Sequence, residues 1–143
     1  VLNLTGEVSI HTKDKLKLYM RGDYFIYGTN EEAKPWNQPN TKLTITGSYD
    51  LQDKLVIRAD IFTEGRRKAK SFAPVEGLTP QDDGSYLVNL KGYLDANLGV
   101  EYRYTKRLSA WVQFNNFLAA KYARWNPYNV QRFNAMMGVS YAF

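Results

Sequence analysis

The feature that most constrains this chain is a two-residue repeat of apolar side chains. It holds for about ten residues at a time and recurs about seven times. Leu2, Leu4, Gly6, Val8 and Ile10 alternate with Asn3, Thr5, Glu7, Ser9 and His11. The same pattern runs through Leu16 to Ile26, Leu43 to Leu51, Leu55 to Ile61, Leu94 to Tyr104 and Leu108 to Phe114. It closes with Phe133, Ala135, Met137, Val139, Tyr141 and Phe143 against Arg132, Asn134, Met136, Gly138, Ser140 and Ala142. Successive side chains of a strand point to opposite faces, so period two predicts strands with one apolar and one polar face. A helix would need apolar residues at i, i+3 and i+4, and they are not there.

The connections alternate as strictly as the side chains. Thr12-Lys13-Asp14, Gln52-Asp53 and Thr105-Lys106-Arg107 are tight hairpin turns. The stretches from Gly28 to Thr41, Thr63 to Tyr93 and Ala119 to Gln131 are long and carry all the prolines. All short turns therefore fall at one end of the sheet and all long loops at the other.

Such a sheet suits two solvents: an apolar face turned inward makes a soluble barrel or sandwich, and one turned outward makes a transmembrane barrel. Strands of about ten residues match the tilted crossing of a bilayer, whereas soluble strands average about five or six. Loop lengths are asymmetric, as in outer-membrane barrels. Tyr49, Tyr102, Tyr104, Tyr141 and Phe143 gather on the apolar face at the short-turn end, as an interfacial aromatic girdle would. The polar face carries Arg21, Asp23, Arg58, Asp60, Asp95, Glu101, Arg103 and Arg132, which fits a wet or plug-filled lumen. Arg58 with Asp60, and Asp95 with Arg103, are lumen charges of both signs suited to holding a plug, hydrating a pore or only balancing one another. The expected fold is all-β: an antiparallel up-and-down transmembrane β-barrel segment, residues 1–143 forming one unit. The strand count, with its ends on opposite sides of the sheet, suggests the C-terminal portion of a larger, even-stranded barrel. Val1 already sits in a strand pattern, with no signal peptide visible, which suggests a processed product or an excised piece.

Composition narrows the classes further. The absence of Cys removes a disulfide framework and Cys-based metal sites. A net charge of +5 favours acidic partners without amounting to a nucleic-acid surface. His11 is the one histidine, and it lies beside a short turn, away from the outer rim where a barrel hydrolase would place its base. The chain reads as a non-enzyme with no cofactor. Arg21-Gly22-Asp23 spells an integrin-binding tripeptide, but it lies within a strand, where a same-face charge pair is the simpler reading. Asn3-Leu4-Thr5 is a glycosylation sequon inside a strand and is discounted.

The last fifty or so residues resemble the C-terminal end of TonB-dependent receptors, particularly those of Bacteroidetes-type bacteria. The matching stretches are LDANLGVEYRYTKRLSAWVQFNNFLAAKY and NVQRFNAMMGVSYAF. That family's N-L-F-(x)3-Y motif appears as Asn116-Phe117-Leu118-Ala119-Ala120-Lys121-Tyr122. The approach to the last strand reads Val130-Gln131-Arg132 in place of a Pro-Gly-Arg-like run, so only Arg132 remains. The final Gly138-(x)2-Tyr141-(x)-Phe143 matches well. The resemblance implies import of a bulky nutrient through a plugged barrel, with energy from TonB; neither the plug nor the TonB box is in these residues. The alternatives are a plug-less barrel serving as scaffold, adhesin or assembly partner, and a soluble β-barrel or sandwich binding a small apolar ligand.

Further candidates follow. Phe133, Met137, Val139, Tyr141 and Phe143 resemble the sorting and insertion signal that the barrel-assembly machinery reads, because such a strand can add to an exposed sheet edge. Trp36, Tyr122, Trp125 and Tyr128 are loop aromatics suited to ligand or partner contact or, equally, to packing within the loops. Glu64-Gly65-Arg66-Arg67-Lys68-Ala69-Lys70 is expected to be a solvated loop, with contact to lipopolysaccharide phosphates as the sharper reading. Expected partners are the lipid bilayer and lipopolysaccharide, the barrel-assembly machinery, and the rest of the barrel or partner subunits.

Overall fold

Every alternating segment forms a strand, and the long connections contribute four short ones. In chain order these are β1 (Leu2–Thr12), β2 (Leu16–Ile26), β3 (Thr41–Leu51), β4 (Leu55–Glu64), β5 (Arg67–Ser71), β6 (Tyr86–Leu90), β7 (Tyr93–Arg103), β8 (Leu108–Asn115), β9 (Ala123–Trp125), β10 (Tyr128–Asn129) and β11 (Asn134–Tyr141). The structure is a computed structural model that describes residues 1–13, 15–28 and 34–143. Asp14 of the first turn and residues 29–33 of the first long connection lie outside the described residues.

One antiparallel sheet holds seven strands in the order β1-β2-β3-β4-β7-β8-β11. Each long strand pairs with the next long strand in the chain, which is the up-and-down meander expected. The sheet does not close on itself, so β1 and β11 are its edges. At the short-turn end the ladders run slightly past the turns, through Asp50 N–H to the Lys15 carbonyl, 2.7 Å, and Arg103 N–H to the Lys54 carbonyl, 2.7 Å. The turns themselves place Lys13, Gln52 and Asp53 at positive φ, a backbone shape that tight hairpin turns take up.

The two faces differ as the alternation predicts, and the apolar one is uncovered. Leu4, Val8, Ile10, Leu43, Ile61, Leu94, Val112, Met137 and Val139 are all exposed. Val56, Ala69, Tyr93 and Tyr122 are the buried apolar residues among the described ones. Val56 and Tyr93 belong to the polar rows, opposite Glu101 and Glu64 respectively. A soluble barrel or sandwich needs an apolar interior, and the described residues build none; what covering there is lies on the polar side.

The long connection between β4 and β7 corrects an expectation. Residues 64–70 form no solvated loop: β5 pairs antiparallel with β6, Arg67 opposite Leu90 and Ser71 opposite Tyr86. The hairpin continues the β4–β7 pair through a bend at two glycines. A Cβ on Gly92 would stand 2.8 Å from the Glu64 carbonyl oxygen, and one on Gly65 would collide with the Thr41 hydroxyl. A bend this tight leaves no room for side chains. The connection between β2 and β3 joins in, with Trp36 bridging in parallel to Lys68 and Asn37 N–H donating to the Lys68 carbonyl at 2.6 Å. At the far edge, Gly138 lies under the Trp111 indole, whose ring atoms would stand 2.7 Å from an added Cβ. The indole takes the space a side chain would fill on the polar face and shields the edge backbone.

Candidate functional site

The long-loop end folds back over the polar face and is fastened there by a small buried cluster. Tyr93, the first residue of β7, has the parity of Asp95 and Asn97 and so turns to the polar side. The Tyr122 ring stacks on it with centroids 3.6 Å apart and planes 6° from parallel. Phe62 meets Tyr93 edge-on at 6.2 Å, and the Arg67 guanidinium lies 5.3 Å from the same ring. The Tyr122 hydroxyl donates to Asp95 Oδ2 at 2.6 Å. Burial, and then the Asp95 carboxylate, push that hydroxyl above the ordinary tyrosine range, so it stays protonated and remains a donor. Arg67 closes the arrangement by donating to the Ala123 carbonyl at 2.7 Å and the Arg124 carbonyl at 2.9 Å, with Glu64 3.6 Å away.

A knot at Asn116 delivers Tyr122 to this position. Asn116 leaves β8 at positive φ, a conformation Asn tolerates better than most residues. Its buried amide donates to the Ala120 and Gln131 carbonyls at 2.9 and 3.2 Å and accepts from Ala120 N–H at 2.8 Å. Its backbone N–H reaches Asn97 Oδ1 at 3.1 Å, and Phe117 N–H reaches the Ala96 carbonyl at 2.7 Å. The Asn116-to-Tyr122 motif is thus a strap: its first residue organises the turn, and its last locks onto β7.

The structure distributes the sequence-predicted residues unevenly. Tyr49 and Tyr102 stand opposite Ile57 and Leu55 at the short-turn end of the apolar face. Tyr141 joins them opposite Leu108 and packs edge-on against Phe143 at 5.3 Å; Tyr104 is exposed beside them. Phe133 stacks on Phe114 at the other end of β11. On the polar face, Arg21 grips Asp23 through two hydrogen bonds of 2.9 and 3.1 Å and reaches Glu7 at 3.3 Å, so the Arg-Gly-Asp run is a same-face charge pair within a strand. Arg58 with Asp60, and Asp95 with Arg103, make no ion pair among the described residues. Arg58, opposite Gly99, reaches diagonally to Glu101 on β7, 3.5 Å away, and Arg103 takes Glu101 at 3.1 Å and Asp50 at 3.8 Å. Asp95 is eight residues from Arg103 on the same strand and is buried under Tyr122. Asp60 and Arg132 enter none of these pairs.

Two of the loop aromatics pack within the structure, one of the two readings open to them. Tyr122 is 9 % exposed and belongs to the cluster, leaving no ring free for a ligand. Trp36 is half-buried, with the Lys70 ammonium 5.7 Å from its ring. Tyr128 is 74 % exposed. The side chain of Trp125 lies outside the described residues. The cluster members missed in the sequence are Tyr93 and Arg67. Extending the β7 alternation by one residue places Tyr93 on the polar face, whereas nothing within a run of charges singles out Arg67.

Chemically this is a fastening, with no nucleophile set against a base. His11 lies on the exposed β1, its Nδ1 3.5 Å from Ser9 Oγ, far along the sheet from the cluster.

No protein-family model and no curated protein sequence matches the chain. Solved structures do. The ferripyoverdine receptor of the Pseudomonas aeruginosa outer membrane, bound to ferripyoverdine, superposes with a TM-score of 0.77 at 17% identity, over 96% of this chain and 19% of that one. This chain has the fold of a seven-stranded segment of such a β-barrel wall. The siderophore receptor PirA of Acinetobacter baumannii gives 0.77 at 17% identity over 97% and 21%. A mutant of the ferric enterobactin receptor PfeA of Pseudomonas aeruginosa gives 0.71 at 18% identity over 99% and 22%. The chain spans about a fifth of the length of these receptors. They are receptors for siderophores, and they lend no support to the Bacteroidetes type suggested by the last fifty or so residues.

Proposed function

We propose that this chain is a wall segment, the C-terminal portion, of an outer-membrane receptor barrel that imports a bulky nutrient, energised through TonB. The observation that carries the proposal is the seven-stranded meander with an uncovered apolar face, which superposes nearly end to end on siderophore-receptor walls. In this reading the apolar row faces lipid, with Tyr49, Tyr102, Tyr104 and Tyr141 at the periplasmic headgroup level. Arg21, Asp23, Arg58, Asp60, Glu101, Arg103 and Arg132 line the lumen, and Asp95 serves the loop cluster at its outer end. The edges β1 and β11 continue into the rest of the barrel. Phe133, Met137, Val139, Tyr141 and Phe143 form the signal presented to the barrel-assembly machinery. A ferric siderophore is the substrate class the neighbours suggest, and Tyr128 is the aromatic placed to meet it.

The test is uptake of radioiron-labelled siderophores by cells lacking the gene, alongside fractionation of the intact protein. Outer-membrane location, heat-modifiable gel migration and loss of TonB-dependent uptake of one siderophore are expected. Outer-membrane location with unchanged uptake and reduced adhesion would favour the plug-less scaffold or adhesin. A detergent-free soluble protein would overturn the reading.

A further inference from the structure

The tip of the β5–β6 hairpin holds the chain's one Asp-Gly pair, Asp83-Gly84, and the chain has no Asn-Gly. In such a pair the glycine brings no side chain to keep its amide nitrogen from the neighbouring carboxyl. Attack by that nitrogen on the side-chain carbon closes a five-membered imide, and reopening the imide can reroute the main chain. No steric barrier stands in the way here: a Cβ on Gly84 would meet nothing within 4 Å, and Asp83 is exposed. Directed contacts hold the pair instead. Asp83 Oδ1 accepts from Ser85 N–H at 3.0 Å and from the buried Ser85 hydroxyl, and Oδ2 takes the Lys70 ammonium. Lys70 is aimed by two aromatic rings, Trp36 at 5.7 Å and Phe72 at 5.5 Å from its nitrogen. Gly84 N–H donates to the Gln81 carbonyl at 2.9 Å, and Gln81 N–H to the Ser85 carbonyl at 2.7 Å. The nitrogen that would attack is therefore engaged in a turn.

We propose that Asp83-Gly84 is an isoaspartate-forming site that the Lys70 tie keeps shut, so that the modification accumulates in chains whose hairpin tip has come open. In the reaction the Gly84 amide nitrogen gives up its proton and bonds to the Asp83 side-chain carbon, and one carboxyl oxygen leaves as water. Solvent water then opens the imide. Attack at the former main-chain carbonyl leaves the main chain running through Cβ, with the free carboxyl on Cα. One water is lost and one regained, and no other reactant is used. The tie opposes the first step in two ways. It points the carboxyl oxygens at Lys70 and Ser85, and the positive charge favours the carboxylate over the neutral carboxyl that can release an oxygen as water. Isoaspartate lengthens the main chain by one carbon and shortens the side chain by one. The carboxylate then no longer meets Ser85 N–H and Lys70 together, so the conversion also prevents the tie from re-forming. The inference is independent of the barrel reading, because it uses only contacts within the hairpin and with Trp36.

The test ages the intact protein in warm buffer at about pH 5, somewhat above the ordinary aspartate pKa, where the neutral fraction depends on the tie. Isoaspartate is counted by enzymatic methylation and located by electron-transfer fragmentation of peptides. The urea-unfolded chain in the same buffer gives the unprotected rate. Folded wild type should form isoaspartate at Asp83 at least about tenfold more slowly than the unfolded chain, since each unit by which a carboxyl pKa is lowered makes its neutral form about tenfold scarcer. Lys70→Ala should approach the unfolded rate. Lys70→Arg keeps the charge and should stay near wild type, and unchanged circular dichroism shows that both variants have folded. Equal rates in folded and unfolded wild type overturn the proposal without recourse to any variant. So does a Lys70→Ala rate equal to wild type, a Lys70→Arg rate as fast as that of Lys70→Ala, or isoaspartate confined to other aspartates.

Discussion

Tyr122 fastens the long-loop end to β7 with both its ring and its hydroxyl. Its ring stacks on Tyr93, and its hydroxyl is the donor for one oxygen of a buried carboxylate. Tyr122→Phe keeps the stack and removes the donor, leaving Asp95 buried without that partner. The expected cost is about 1–3 kcal/mol of local stability. Faster hydrogen exchange in residues 119–131, with β2 and β3 unaffected, would show it; unchanged exchange would mean that the hydroxyl contributes nothing. Legibility at this scale divides on parity. Tyr93 obeys the strand repeat, so its direction follows from counting back from Asp95. Tyr122 sits beyond a strand end, where no period applies, and its direction comes from the Asn116 knot. Arg67 lies amid Arg66 and Lys68, identical in character and opposite in environment, because burial there is decided by a bend at Gly65 that sequence alone does not place.

Among the elements, the seven long strands were legible because each is long enough for period two to show against noise. The β5–β6 hairpin was not. Its strands have five residues each, and Arg-Lys-Ala-Lys-Ser alternates Arg67 and Ala69 against two lysines, a pattern invisible to hydropathy. The hairpin nonetheless has its own internal ties. At its tip Asp83 holds Lys70 and accepts from both the hydroxyl and the N–H of Ser85. The Lys70 contact, then those from Ser85, draw the Asp83 carboxyl well below the ordinary aspartate range. A folded-state value lowered in this way stabilises the tip at pH values above the ordinary aspartate pKa, about 3.9, and that contribution is lost as pH falls through the folded value. An NMR titration should therefore show the Ser85 amide signal unmoved from neutrality to about pH 4 and shifting only under more acid conditions. Lys70→Ala should bring the midpoint back toward the ordinary value. A wild-type midpoint near about 4 would contradict the assigned cause.

For the whole molecule, the exposed apolar row and its solvent are the matter at issue. Alternation revealed that two faces exist, but not which one the loops cover; they fold over the polar face and leave the other bare. If the bare face meets lipid, the cost of a charge there must depend on depth, and a soluble surface would show no such dependence. Leu55 and Ile61 test this on one strand and one face. Leu55 lies at the short-turn end opposite Tyr102, and Ile61 lies six residues further along β4 opposite Ala96. Six residues of strand span about 20 Å, or about 14 Å of depth at a tilt near 45°. That carries Ile61 from the interface to about the middle of an apolar band roughly 25 Å tall. Ile61→Arg should therefore cost about 2–4 kcal/mol and Leu55→Arg about 0–1 kcal/mol. Urea titration of the intact protein folded into lipid vesicles measures both. Equal losses at the two positions would contradict a lipid-facing row, because water on that face gives an arginine no reason to prefer one end of β4 to its middle.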